Sequence, residues 1–369
     1  MGVRYIPGLD ALRGFAALLV VIGHVGLIKK ELGLTVMDFE RWNFFNLGDI
    51  AVTFFFVLSG FLITYLLLLE SEKSNINIGK FYIRRILRIW PLYFLLLTIG
   101  LFVYPLAAQY IDLLPDNKEI TGTKDLLLHT FLFPNLANQS NPVCFQSWSI
   151  GIEEQFYIVY PILFFLFKKY NSSLFNFLLL FAASIFSLRF LNSSLIENQI
   201  ENAAIANVSL FFNEASFDNM AIGALFGALF YYSVTPIFVR KRYVSIIVWL
   251  TTVLLVLKDL EISYGISQVI YQIFFGLSIY LISSSNLSNS FLEYKIPKLL
   301  GRISYGIYMY HVIAIYLVIN IFDFRDYTLW NSIFIYAMSI IATVLLAWLS
   351  YSFYEKYFIS LKSRFSLLK

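Results

Sequence analysis

One cysteine, three histidines and few charges set the first limits on this chain of 369 residues. Cys144 has no second thiol to pair with, so an internal disulfide is excluded and the thiol reads as a free structural one. His24, His129 and His311 sit on separate stretches without metal-ligand spacing, which leaves a bound metal unsupported. His129 reads as a surface or interfacial residue. A Gly-x-Ser-x-Gly elbow and a cysteine–histidine pairing are both missing, so serine or cysteine hydrolase chemistry has no foothold. Charged residues make up 14% of the chain, against about a quarter in ordinary globular domains. The net charge of +4 points to no nucleic-acid partner. Internal repeats and low-complexity linkers are also lacking. Arg4 precedes an apolar run as in a signal peptide, but no small-residue cleavage site follows and the run reads as retained.

What is present is apolar length. Hydrophobic residues are 59% of the chain, Phe alone occurs 38 times, and mean hydropathy is +0.73. This predicts an all-α, polytopic integral membrane protein with a single membrane domain over residues 1–369 and no soluble domain after it. Apolar runs long enough to span predict about ten helices, near 8–28, 49–69, 90–108, 148–167, 173–192, 215–234, 243–258, 265–283, 303–322 and 331–353. The positive-inside rule groups Lys80, Arg84, Arg85, Arg88, Lys168, Lys298 and Arg302 with the basic tail, and gathers Asp112, Asp116, Glu197 and Asp323 opposite. Both termini are then expected to be cytoplasmic. The polar loop 109–146 contains a short apolar piece, Leu126 to Phe133, that is too short to span and suits a re-entrant or interfacial segment.

Ionisable residues inside the spans carry the functional signal, because each needs a partner or a task in hydrocarbon. The first span holds Asp10, Arg13 and His24. Arg13 and His24 are eleven residues apart, a remainder of roughly 20° after three turns, so they share one face and lie about 16 Å apart along the axis. Such a face suggests a lined path. Ser59-Gly60 in the second span offers a small surface for close helix contact. Arg85 and Arg88, three apart, can both reach the oxygens of one phosphate. The fourth span opens Ser147-Trp148-Ser149-Ile150-Gly151-Ile152-Glu153-Glu154-Gln155-Phe156-Tyr157. Its adjacent carboxylates are placed by helical rise at a depth compatible with His24, where either one can orient the imidazole, or else neutralise a cation such as Arg189. His311 lies mid-helix in Ser304-Tyr305-Gly306-Ile307-Tyr308-Met309-Tyr310-His311, as a helix–helix hydrogen bond or a second polar member of the path.

Taken in order, Arg13 with His24, Phe56-Val57-Leu58-Ser59-Gly60-Phe61-Leu62-Ile63-Thr64, Arg85-x-x-Arg88 with Pro91 and Tyr93, Trp148 to Tyr157, and Ile303 to His311 resemble the acyltransferase-three family of integral membrane acyltransferases. The resemblance runs from Leu9 to Glu355. It departs at Gly151, where the family commonly has Ser, and at Tyr357, where Pro often stands. The resemblance implies transfer of an acyl group, usually acetyl from acetyl-CoA, to a hydroxyl of a cell-envelope polysaccharide or glycolipid, in the bacterial inner membrane. It carries important positions onto Arg13, His24, Arg85, Arg88 and Glu154 or Glu153.

The expectation is therefore a membrane O-acetyltransferase. His24, Glu153 and Glu154 form its catalytic group, with His24 as general base or transient acyl carrier. Arg13, Arg85, Arg88, Asp10, Ser147, Tyr157 and His311 bind substrate or donor. The rival class is a transporter or flippase of glycan precursors using the same polar path, and a succinyl donor or a lipid or small-molecule acceptor is a further variant.

Overall fold

The computed structural model describes residues 5–37, 46–73, 76–107, 122–137, 141, 143–169, 216–234, 242–258, 264–285, 291–322, 324 and 328–365. Every regular element among them is helical, as an apolar chain requires in lipid, where backbone N–H and C=O groups must be satisfied within the segment. Those of eight residues or more are, in chain order, α1 (Leu9–Glu31), α2 (Leu47–Lys73), α3 (Ile78–Thr98), α4 (Thr123–Thr130), α5 (Ser147–Lys169), α6 (Phe217–Tyr231), α7 (Arg242–Leu257), α8 (Tyr264–Ser284), α9 (Lys295–Arg302), α10 (Ser304–Phe322) and α11 (Leu329–Ser350).

Seven of the helical segments are long and apolar enough to cross a membrane, and the chain is a multi-pass membrane protein. Where the sixth and seventh spans are expected, the structure has the shorter apolar helices α6 and α7, of 15 and 16 residues, which are not among those seven. The expected fifth span, 173–192, lies outside the described residues, as does Arg189.

Two boundaries differ from expectation. The third helix begins at Ile78, not near residue 90, so Arg84, Arg85 and Arg88 belong to the same helix as the apolar span, with Arg85 and Arg88 on one helical face as their spacing suggests. Hydropathy places a boundary where charge begins, whereas the backbone starts at its cap: the Asn77 side chain accepts from the Lys80 N–H at 2.9 Å. The last helix runs on past 353 through a π-helical turn, Tyr351–Glu355, into Lys356–Leu361 and a final tight turn, Lys362–Phe365. At 1.5 Å per residue that rod is about 55 Å long, well beyond the roughly 30 Å of a hydrocarbon core.

α2 is the centre of the bundle. It packs on α6 with the two backbones nearly touching, because a Cβ at Gly60 would fall on the Met220 carbonyl and one at Gly223 on the Val57 carbonyl. Ser59 and Gly60, read together as a packing surface, therefore divide: Gly60 packs and Ser59 turns toward a cavity.

The apolar piece in the 109–146 loop forms α4, followed by a tight turn, Pro134–Leu136, that caps the start of α5. His129 is 1% exposed, contrary to its expected place at the surface. Its Nδ1 bonds the Asp125 carbonyl at 2.9 Å, and its own carbonyl accepts from Tyr93 Oη at 2.8 Å. Burial holds its imidazole below the ordinary value. Cys144, on the same cap, is a buried free thiol, and burial pushes it up to about 12.

If the α2–α6 contact needs bare backbone, Gly60→Leu should lower stability by about 1–3 kcal/mol or more, the usual range for overpacking. Thermal unfolding of the purified protein in detergent should show this, with Gly79→Ala, where an added Cβ would meet only Asn77 Oδ1 at 3.5 Å, serving as a comparison of smaller effect.

Candidate active site

Three guanidinium groups meet at one cavity. Arg13 comes from α1, and Arg85 and Arg88 from one face of α3. The cavity, with about 690 Å³ of empty space counting its opening to solvent, is further walled by Ser59, Ser149, Glu153, Tyr157, Ser304, Tyr305 and Tyr308, with Phe55, Phe56 and Ile89 among its apolar members. Five separate helices thus contribute, and the mixed lining, apolar with a few convergent polar groups, is of the kind that small-molecule sites use.

Each charge has a stated neighbour. Arg13 Nη1 lies 4.0 Å from Asp10 Oδ1, one turn away on the same helix. The Arg85 guanidinium lies over the Tyr157 ring, 4.6 Å from its centroid, and 5.5 Å from that of Phe81. Arg88 interacts electrostatically with Glu355, which the π-helical turn of the last rod aims inward and which accepts from Ser350 Oγ at 2.9 Å. Arg84 differs from its neighbours. It pairs with the buried Glu70 and donates to the Phe365 carbonyl at 3.0 Å, away from the cavity.

The two adjacent carboxylates of α5 take different surroundings. Glu153 faces the cavity, where its Oε1 accepts from the hydroxyls of Ser59 and Tyr157. Glu154 is buried, accepts from Trp90 Nε1 at 3.0 Å, and its other oxygen has no hydrogen-bond partner among the described residues. The expected hydrogen bond of either carboxylate to His24 is not the arrangement found. Equal depth along the bilayer does not fix direction around a helix, and residues one apart point about 100° apart.

His24 instead sits against His311, ring centroids 4.7 Å apart, with Phe145 at 6.0 Å. The carboxylate interacting electrostatically with it is Asp49, in the first turn of α2. Gly48 permits this approach, since a Cβ there would come within 2.8 Å of His24 Cε1. Nδ1 of His24 is 2.9 Å from the Val20 carbonyl. A carbonyl can only accept, so Nδ1 carries the hydrogen and Nε2 keeps its lone pair. His311 repeats the pattern: its Nδ1 donates to the Tyr308 carbonyl at 2.5 Å, and its buried Nε2 has no partner among the described residues. Two basic ring nitrogens thus lie in adjacent rings.

Tyr308 joins the two regions. Its ring lines the cavity, lies 5.7 Å from the His311 ring and 6.4 Å from Phe55, and its hydroxyl is 2.5 Å from Ser149 Oγ. Of the sequence-predicted residues, Arg13, Arg85, Arg88, Glu153 and Tyr157 converge on the cavity wall. His24 and His311 form the adjoining pair. Glu154 stands behind the wall on Trp90, and Asp10 contacts Arg13. Ser147 lies apart, with its Oγ donating to the Cys144 carbonyl at the start of α5. Sequence reasoning assigned no part in the site to Ser59, Asp49, Tyr305, Tyr308 or Glu355. Asp49 and Glu355 carried a signal, as carboxylates at or within apolar helices.

A protein family described as an acyltransferase domain matches residues 6–352. A Bacillus subtilis protein named "Putative peptidoglycan O-acetyltransferase" is 33% identical over 163 residues, which are 43% of this chain and 23% of that protein. A "Putative O-acetyltransferase" of Staphylococcus aureus is 32% identical over 172 residues, 44% of this chain and 25% of that protein. A Haemophilus influenzae protein described as uncharacterized is 27% identical over 252 residues, 63% of this chain and 98% of that protein. The matches thus span about a quarter of the length of the first two relatives. No solved structure shows a significant match.

The divided arginines give a test of which cations hold the fold. Arg84→Ala strands Glu70, which is 3% exposed, and should cost about 3–5 kcal/mol. Arg85→Ala, which removes a cation at the cavity wall, should lower the thermal midpoint much less. Equal losses in the two variants would remove the distinction.

Proposed function

The chain belongs to the acyltransferase domain family, and from that premise we propose that it transfers an acetyl group from acetyl-CoA to a hydroxyl of a cell-envelope polysaccharide or glycolipid. The observation that carries this reading is the joining of an arginine-lined cavity to a pair of imidazoles with free Nε2 lone pairs. The names of the Bacillus subtilis and Staphylococcus aureus relatives support O-acetylation, and the first supports a glycan acceptor. Acetyl-CoA supplies what the cavity's cations suit: phosphates at one end, and a reactive thioester at the end of a long, thin arm.

In this reading Arg85 and Arg88 hold donor phosphates at the cytoplasmic end, with Arg13 beside them. The arm lies along the cavity and brings the thioester past Phe55 and Tyr308 toward His24. Nε2 of His24 takes the proton of the acceptor hydroxyl as its oxygen attacks the thioester carbonyl. The carbon–sulfur bond then breaks, the proton passes from His24 to the departing thiolate, and the products are the O-acetyl ester and free CoA. The Val20 carbonyl fixes the tautomer this requires. Asp49 stabilises the imidazolium that forms in passing. Glu153 holds the Ser59 and Tyr157 hydroxyls at the wall, where they are available to orient the arm. Capture of the acetyl group on His24 Nε2 before its transfer is the two-step form of the same chemistry.

His24→Ala should abolish acetylation while leaving a folded membrane protein by size exclusion and thermal unfolding. Full activity in that variant would sink the mechanism. Membranes incubated with radiolabelled acetyl-CoA should pass label into extracted glycan, and the Arg85→Ala, Arg88→Ala double variant should lose it. Transport without label transfer would favour the exporter class instead.

A further inference from the structure

The last rod ends in an unexpected place for a basic tail. Lys362 opens its final turn and is partly buried. The groups with which it interacts electrostatically are Arg88, Arg85, Arg13 and Arg84, all of its own charge. No ion pair joins Lys362 to a carboxylate among the described residues. The segment is pinned there and is not a frayed end. Arg84 donates to the Phe365 carbonyl at 3.0 Å, and Tyr354 Oη donates to the Pro91 carbonyl at 3.2 Å.

The hydrogen bond from Arg84 to the Phe365 carbonyl fixes the final turn beside α3, which brings Lys362 within electrostatic range of four guanidinium groups, and the repulsion is removed most simply by an anion that the cations share. The carboxylates nearby have other engagements: Glu70 with Arg84, Asp10 with Arg13, Glu355 with Ser350 and Arg88, and Glu153 with two hydroxyls. A phosphate has several oxygens and can bridge a lysine and two arginines at once. The groups that meet here come from three separate elements, α1, α3 and the end of the rod, so an anion would also tie them together.

We propose that Lys362 and the final turn complete a phosphate-binding site with Arg85 and Arg88 at the mouth of the cavity, and that the phosphate belongs to a soluble phosphorylated donor. The donor's identity as acetyl-CoA rests on the function proposed above, while the phosphate site rests on the cation cluster alone. Lys362 then adds a cation that the Arg85-x-x-Arg88 spacing does not reveal, and the end of α11 becomes part of the donor site.

The test uses the full chain in nanodiscs of phosphatidylcholine, titrated with CoA and separately with inorganic pyrophosphate. Lys362→Gln should weaken binding of both by about 10-fold, the size of one charge-assisted contact, and Lys362→Arg should stay within about threefold of the parent. Without ligand, Lys362→Gln should unfold at the same or a higher temperature, because repulsion has been relieved. A lysine that merely stabilised the fold would lower it. Unchanged CoA and pyrophosphate affinity in Lys362→Gln overturns the proposal. So does unchanged affinity accompanied by loss of retained phosphatidylglycerol in mixed-lipid discs, which would assign the lysine to a lipid headgroup. Pyrophosphate binding that weakens in Lys362→Gln, in a protein that binds no CoA, upholds the phosphate site and removes CoA as the donor. A parent protein that binds neither anion overturns both.

Discussion

The constraint on which the site depends is the cost of holding guanidinium groups inside a bundle that lipid surrounds. An unpaired charge in hydrocarbon is expensive, and the structure meets that cost in a different way for each arginine. Arg84 has a buried carboxylate and is complete within the fold. Arg13 has Asp10 at 4.0 Å, a loose contact, and Arg85 has the face of Tyr157. The cations that remain only partly compensated are those that line the cavity. A cation fully satisfied by the protein has little left to offer a ligand, so this contrast sets Arg84 apart from the cavity arginines more sharply than exposure does.

The imidazoles follow the opposite logic. A neutral ring costs little to bury, and two of them in contact need no counter-ion so long as neither is protonated. Both Nδ1 hydrogens are bound by carbonyls of their own helices, a bond α-helical backbone supplies at no tertiary cost. That leaves both lone pairs on Nε2, the second on a fully buried ring with no hydrogen-bond partner among the described residues. A proton taken up by His24 during turnover would have Asp49 for charge and the His311 ring for contact. In the mechanism proposed above the pair would accept a proton briefly without a permanent ion pair, as a group that returns to neutrality after each cycle requires.

Much of this was legible in the sequence. The helical class follows from composition, and the membership of Arg13, Arg85 and Arg88 in one cavity is foreshadowed by spacing: eleven residues keeps Arg13 and His24 on one face, and three keeps Arg85 and Arg88 together. What spacing could not give was direction between helices. Ser59 and Gly60 are neighbours in sequence and were assigned one role, yet they point to different walls. Glu153 and Glu154 likewise separate, one to the cavity and one to Trp90. The contact of His24 with His311 joins α1 to α10, and Glu355, at the end of the π-helical turn of the last rod, interacts with Arg88 of α3. These are long-range facts with no local signal. The hydropathy boundary near residue 90 failed for a related reason, since a helix can continue past the point where its residues cease to be apolar.

The arrangement also answers a problem that any acyl transfer from a thioester must meet, which is water. The polar groups of the cavity are gathered about the arginines, whereas the approach to the imidazoles is made of rings: Phe55, Tyr308 and Phe145. Aromatic walls of this kind exclude solvent and strengthen electrostatic interactions within. If the thioester lies beyond Phe55 and Tyr308, its carbonyl is presented to a basic nitrogen in a place where an acceptor hydroxyl can enter and bulk water is scarce. The same wall would give a donor with a long arm its use. In the function proposed above, its phosphates would meet the cations and its carbonyl the dry end, and the roughly 16 Å that separate Arg13 from His24 along α1 would be spanned by the substrate, not by a moving part of the protein.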